Sequence, residues 1–195
     1  EENNIKFTGS DSIASSLCMN KIECKKILKK NKFLTPKWVE FEEGLKITDV
    51  SFPCIVKPNA QGSTFGLSFV EKAKDLIPAI MKSLKFDKNI LIEEYISGKE
   101  ITVGIIQESS MPIVEILPKN KIYDYKCKYT AGMSEYNCPA DIKKGLSEKI
   151  MSDSVKIFKL LGCEGYGRID FIIDKNENYY FLEINTLPGM TSTSL

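Results

Sequence analysis

Short apolar runs and stripes divide this chain into alternating strand-like and helix-like segments. Asn20 followed by Glu23 has the form of a capping box, and Cys24, Ile27 and Leu28 continue it as a helical stripe that Thr35-Pro36 ends. Trp38 to Phe41 and Cys54-Ile55-Val56 are short strands, the second ending at Lys57-Pro58. A loop from Asn59 to Gly66 leads into a further strand, Leu67 to Val70. Leu76, Ile77, Ile80, Met81 and Leu84 recur at helical spacing, with Pro78 tolerated in the first turn. Ile90-Leu91-Ile92 is a strand running into Glu93-Glu94-Tyr95-Ile96. Gly98 then turns the chain into a strand from Glu100 to Gln107. Glu108 to Ser110 is a turn into Pro112 to Leu117. Residues 118–139 show no clear periodicity, which predicts a functional flap or a disordered segment. Ile142, Leu146, Ile150, Ile157 and Leu161 mark a long helix closed by Gly162.

The last two strands are the most informative. Ile169, Phe171 and Ile173 alternate with Arg168 and Asp170, and Tyr180, Leu182 and Ile184 alternate with Glu183 and Asn185. Asp174-Lys175-Asn176-Glu177 between them predicts a hairpin. Pairing Ile173 with Asn178 would set Arg168 opposite Glu183 and Asp170 opposite Phe181, with all the polar side chains on one face. Two carboxylates and an amide oxygen there suit Mg²⁺ carrying substrate phosphates. The alternative is a surface ion-pair cluster, but such pairs contribute only about 0–1 kcal/mol each.

Composition narrows the chemistry. The chain has 195 residues, 43% hydrophobic and 27% charged, the balance of an ordinary globular protein of one or two domains. A net charge of +1 makes no whole-molecule case for nucleic acid or an anionic membrane. No apolar run is long enough to span a bilayer, and Glu1-Glu2-Asn3-Asn4 lacks the features of a signal peptide, so a cytoplasmic location is expected. The six cysteines have no C-x-x-C spacing and are expected to be reduced thiols. Histidine is absent, which removes Ser-His-Asp and Cys-His triads and His-ligated metal sites from this chain.

Three further segments carry candidate chemistry. Val56 to Gly66 places a lysine before a small-residue loop, suited to phosphate through backbone N–H groups or simply to a hairpin turn. Glu93, Glu94 and Glu100 flank a strand end, as contacts to adenine and ribose or as a solvated acidic edge. Lys128-Tyr129 lies in the flap, a lid over phosphate or a plain loop.

In this order, Gly165-x-Gly-Arg-x-Asp170, Leu182-Glu-Ile-Asn-Thr-Leu-Pro-Gly-Met-Thr-Ser192 and Tyr123-Asp124-Tyr125-x-x-Lys128-Tyr129 closely resemble the ATP-grasp part of D-alanine:D-alanine ligases. The resemblance runs from about Thr8 to Leu195 and implies an α+β ATP-grasp fold whose two subdomains clasp the nucleotide. Residues 1–20 would connect to an N-terminal domain, 21–99 would form the small subdomain, and 100–195 the C-terminal subdomain with flap 118–139. A fragment is expected, without the family's N-terminal domain and C-terminal helical stretch. The implied activity is ATP-dependent ligation of two D-alanine molecules through an acyl phosphate, for peptidoglycan precursors. The alternatives are a nucleotide-binding domain without turnover, a D-alanine:D-serine ligase, or another ATP-grasp carboxylate–amine ligase. The implied cofactors are ATP and two Mg²⁺ ions, with Mn²⁺ able to substitute. D-Alanine is the implied partner, with no nucleic acid or membrane, and a homodimer is compatible with the full-length protein.

The resemblance also implies roles residue by residue. Lys21 and Lys57 would contact phosphates, Glu93, Glu94 and the Ile96 backbone adenine, and Glu100 the ribose. Asp170, Glu183 and Asn185 would hold the metals. Ser63 and Tyr129 would join a network near the amino acids, and Lys128 would close the flap. Arg168 and the Gly189 N–H would stabilise the tetrahedral intermediate, and Ser194 and Leu195 would seat the second carboxylate.

Overall fold

A computed structural model describes residues 6–41, 49–118 and 134–190. Helices α1 (Ser12–Met19) and α2 (Lys21–Lys30) open the chain. The first sheet comprises β1 (Trp38–Glu40), β2 (Cys54–Pro58), β3 (Ser68–Val70) and β4 (Ile90–Glu94), in the order β1-β4-β2-β3. Helix α3 (Leu76–Ser83) lies between β3 and β4 in sequence. The second sheet comprises β5 (Gly98–Ile106), β6 (Ser109–Ser110), β7 (Val114–Pro118), β8 (Ser134–Asn137), β9 (Tyr166–Asp174) and β10 (Tyr179–Asn185). Its order is β10-β9-β5-β7-β8, with β6 on β5 and α4 (Lys144–Leu160) between β8 and β9 in sequence. No helix among the described residues is long and apolar enough to cross a membrane.

Strand alternation gives each sheet a core face and an open face. On the first sheet Cys54, Val56, Ile90 and Ile92 bury against Leu76, Ala79 and Ile80 of α3, which leaves Ile55, Lys57 and Glu93 on the other side. On the second sheet Ile101, Val103, Ile105, Ile169, Phe171 and Ile173 pack with Ile150, Ile157 and Phe158 of α4. Cys18, Cys24 and Leu28 join this larger core, so α2 packs with the second sheet although it precedes the first in sequence. Cys18, Cys24, Cys54 and Cys163 are buried free thiols, and Cys138 is exposed.

The structure departs from the sequence reading at three places. The connector expected over residues 1–20 contains α1, which starts where the Asp11 side chain accepts the Ala14 N–H at 2.7 Å. The span expected as flap contains β8, whose Glu135, Tyr136 and Asn137 pair with β7. The hairpin register also differs. Tyr179 pairs with Ile173 and Phe181 with Phe171, then a β-bulge shifts the ladder so that Glu183 pairs with Asp170 and Asn185 with Arg168. The bulge inserts one residue and reverses the inward–outward alternation beyond it. Phe181 and Ile184 therefore both enter the core, where strict alternation had grouped Tyr180, Leu182 and Ile184.

Phe171 sits at the centre of this arrangement, 1% exposed and edge-on to Phe181 with ring centroids 6.2 Å apart. Phe171→Ala is expected to lower unfolding free energy by about 3–5 kcal/mol in urea titration. A loss below about 1 kcal/mol would contradict the packing described.

Candidate active site

The open faces of the two sheets line one cleft. Lys21, Lys57, Glu93, Glu94, Ile96, Glu100, Asp170 and Glu183 all line it, and Pro36, Ile55, Leu67, Ile172 and Leu182 supply apolar wall. The structure thus brings together, from four separate segments, half of the residues the sequence singled out.

Two asparagines set the lysines side by side. Asn20 caps α2 by accepting the Glu23 N–H at 3.1 Å, and it also accepts the Asn59 side-chain amide at 3.0 Å. Asn59 accepts the Ile22 N–H at 2.9 Å. The first turn of α2, which carries Lys21, is therefore fastened to the end of β2, which carries Lys57. Lys21 Nζ donates to the Gln61 carbonyl at 2.7 Å and lies 3.6 Å from a Glu183 carboxylate oxygen. Burial pushes the Lys21 ammonium below its ordinary value, against the pull of Glu183.

Glu93 is the electrostatic centre of the first wall, at 2% exposure. Its Oε2 lies 2.8 Å from Lys57 Nζ and its Oε1 2.8 Å from Lys25 Nζ, the latter an ion-pair contact without hydrogen-bond alignment. Burial pushes the Glu93 carboxyl up, but the two ammonium groups outweigh burial and hold it below its ordinary 4.5. The sequence reading missed Lys25. Its place four residues after Lys21 was the available signal, but helical spacing alone cannot show that a lysine is buried.

The second wall carries the oxygen donors. Asp170 is held by a two-point contact from Arg168, Nε to Oδ1 at 3.0 Å and Nη2 to Oδ2 at 3.0 Å. The Thr102 hydroxyl donates to Asp170 Oδ1 at 2.6 Å, and the Asn185 amide donates to Oδ2 at 3.3 Å. Thr102 was also missed by the sequence reading. The bulge places Glu183 beside Asp170 rather than across from Arg168. Two carboxylates and an amide oxygen on one face are hard donors of the kind Mg²⁺ takes when substrate phosphates complete its shell. Among the described residues, no three carboxylate, thiol or imidazole groups converge to cage an ion unaided. By their oxygen chemistry Asp170, Glu183 and Asn185 fit a divalent ion whose shell phosphate oxygens complete.

Of the remaining expected residues, Ser63 and Gly189 lie outside the cleft lining. Ser63 and Thr64 occupy the left-handed region at φ 51° and 58° in the loop after β2, where Phe65 also lines the cleft. Glu94 accepts the Lys37 N–H at 2.8 Å. Gly189 is exposed beyond β10. Lys128, Tyr129, Ser194 and Leu195 lie outside the described residues.

The Glu93 contacts have a pH consequence. A carboxyl held below 4.5 in the folded state contributes stability that is complete above 4.5 and is lost as pH falls through the folded value. Glu93→Gln is expected to lower stability at neutral pH by about 3 kcal/mol and to flatten the acid limb of stability against pH. An acid limb as steep as that of the unaltered protein would contradict the assignment.

Comparison with known proteins identifies the family. The family model described as D-ala D-ala ligase C-terminus matches residues 13–195. A D-alanine--D-alanine ligase of Aquifex aeolicus is 43% identical over 194 residues, covering 98% of this chain and 66% of that protein. The chain thus spans slightly less than two thirds of the length of that relative. The solved D-alanine--D-alanine ligase of Bacillus anthracis complexed with ATP superposes with a TM-score of 0.84 at 33% identity, covering 100% of this chain and 64% of that one. VanG D-Ala:D-Ser ligase from Enterococcus faecalis superposes with a TM-score of 0.83 at 29% identity, covering 98% of this chain and 59% of that one. The α+β ATP-grasp architecture expected from the sequence is the one found. With two sheets clasping a cleft of lysines and carboxylates and a family match over nearly its whole length, this chain belongs to the D-alanine–D-alanine ligase family, of which it carries the C-terminal region.

Proposed function

We propose that this chain is the Mg-ATP-binding part of a ligase that joins two D-alanine molecules for peptidoglycan precursors in the cytoplasm. The observation that carries the reading is the facing of Lys21 and Lys57 toward Asp170 and Glu183 in one cleft. The ammonium groups suit the phosphates. The apolar wall of Ile55, Leu67, Ile172 and Leu182 suits a flat base, and Glu93, Glu94, the Ile96 backbone and Glu100, from the same lining, would contact adenine and ribose.

In the proposed reaction a D-alanine carboxylate oxygen attacks the γ-phosphorus of ATP. The bond to the β–γ bridging oxygen breaks, giving an acyl phosphate and ADP. The amine of a second D-alanine then adds to the acyl carbonyl, and phosphate leaves. Lys21 and Lys57 bind and screen the phosphates while charge moves onto the leaving group. Asp170, Glu183 and Asn185 would hold two Mg²⁺ ions, or Mn²⁺, which when bound supply charge neutralisation at the phosphates. Arg168 and the Gly189 N–H would meet the developing oxyanion. Ser63 and Tyr129 would orient the amino acid, Lys128 would close over phosphate, and Ser194 and Leu195 would seat the second carboxylate. D-Serine as second substrate is the alternative favoured by the likeness to the D-Ala:D-Ser ligase.

Phosphate release from Mg-ATP should require D-alanine, and product analysis with D-serine present should return D-alanyl-D-alanine. Asp170→Asn is expected to reduce turnover by at least ~100-fold, with a raised Mg²⁺ requirement. ATP binding without D-alanine-dependent phosphate release would limit this chain to nucleotide binding. An Asp170→Asn protein with unchanged metal dependence would contradict the metal assignment.

A further inference from the structure

Lys25 is the least expected residue in the molecule: a lysine at 0% exposure that does not line the cleft. It meets Glu93 through the oxygen that Lys57 does not contact. Its ammonium contacts Glu93 Oε1 at 2.8 Å, donates to the Pro36 carbonyl at 3.1 Å and to the Thr35 hydroxyl, and sits 5.2 Å from the centre of the Trp38 ring. Nothing in the reaction uses it directly.

The charge arrangement gives it a purpose. Glu93 contacts two lysines through separate oxygens, Lys25 outside the cleft lining and Lys57 within it. With Glu93 and Lys57 alone, the carboxylate would neutralise the ammonium in a poorly solvated wall, and Lys57 would offer phosphate little net charge. With Lys25 present, the three groups carry one net positive charge, and it is displayed at Lys57. Lys25 also meets the second oxygen of Glu93 as an ion pair, leaving the first to Lys57.

We infer that Lys25 is a positioning residue for nucleotide phosphate: it offsets Glu93 through that second oxygen, so that Lys57 remains an effective cation toward the phosphates. This inference rests on the nucleotide-binding reading above. It also explains a buried lysine that would otherwise only cost stability, since desolvation of an ammonium is unfavourable unless it is paired.

Lys25 should then act as a pH-sensitive element. Burial lowers its ammonium to about 8, against the pull of Glu93 and with repulsion from Lys57 adding to the effect. The charged groups facing it are Glu93 and Glu94 of β4 and Lys57 of β2, with the uncharged Trp38 ring of β1 and the Thr35 and Pro36 oxygens closing the site. Lys29 shares the Trp38 ring from the same helix, at 5.5 Å. The anionic nucleotide binds best while Lys25 is protonated, so affinity is highest below the free-state value and falls as pH rises through about 8.

The test is equilibrium binding of Mg-ATP, by calorimetry, across pH about 7 to about 9 for the unaltered chain, Lys25→Met and Lys25→Arg. Expected for Lys25→Met is affinity about tenfold weaker at neutral pH and loss of the fall near pH 8, with folding verified by circular dichroism. Expected for Lys25→Arg, which stays charged, is near-normal affinity at neutral pH and a smaller alkaline fall than that of the unaltered chain, since only the buried Lys21 ammonium still titrates toward that end. Unchanged affinity and pH profile in folded Lys25→Met overturns the inference. If Lys25→Met does not fold, an alkaline fall in Lys25→Arg identical to that of the unaltered chain overturns it. A flat profile for the unaltered chain overturns it whichever variants fold. Failure of the unaltered chain to bind Mg-ATP at any pH refutes instead the nucleotide-binding reading, and the inference falls with it.

Discussion

The site depends on one buried carboxylate. Glu93 stands at 2% exposure between Lys25 and Lys57, and its charge is tolerable there only because both ammonium groups meet it. This contact joins α2, which packs on the larger core, to β2 and β4, which build the smaller one. It therefore fixes the helix carrying Lys21 against the sheet carrying Lys57, and the Asn20–Asn59 pair repeats that fastening with neutral hydrogen bonds. Removing one partner of such a buried pair typically costs about 3–5 kcal/mol, comparable to losing a large core side chain.

The opposite wall is set by a backbone irregularity. With strict alternation along β10, one of Phe181 and Ile184 would face away from the core. The bulge admits both and turns Leu182 and Glu183 toward the cleft together. One inserted residue thus supplies an apolar contact for a base and a carboxylate for phosphate chemistry from adjacent positions. Asp170 needs no such device. It lies on the open face of a regular strand, and Arg168, Thr102 and Asn185 hold both of its oxygens in place.

Much of this was legible in the sequence because it rests on local signals. The Asn20 cap, the stripe of α2, the strands at Cys54 and Ile90 and the long helix before Gly162 follow from periodicity and end signals. The gathering of Arg168, Asp170, Glu183 and Asn185 on one hairpin was also legible, but not their pairing. A bulge depends on which apolar residues the core accepts, and that is a tertiary matter. Helix α1 escaped notice because Ser12–Met19 presents only Ala14 and Cys18 as buried residues. β8 escaped because its partner strand, not its composition, makes Ser134–Asn137 extended. Lys25 and Thr102 were invisible for the same reason: each matters through a buried neighbour from a distant segment.

The central claim is that nucleotide phosphates lie between the Lys21–Lys57 wall and the Asp170–Glu183 wall. The most direct test is a crystal structure of this chain with a non-hydrolysable ATP analogue and Mg²⁺. The account predicts phosphate oxygens in contact with both ammonium groups, the metal on Asp170 and Glu183, and the Lys25–Glu93–Lys57 contacts intact. Nucleotide bound elsewhere, or phosphates in this cleft contacting neither lysine, would contradict it.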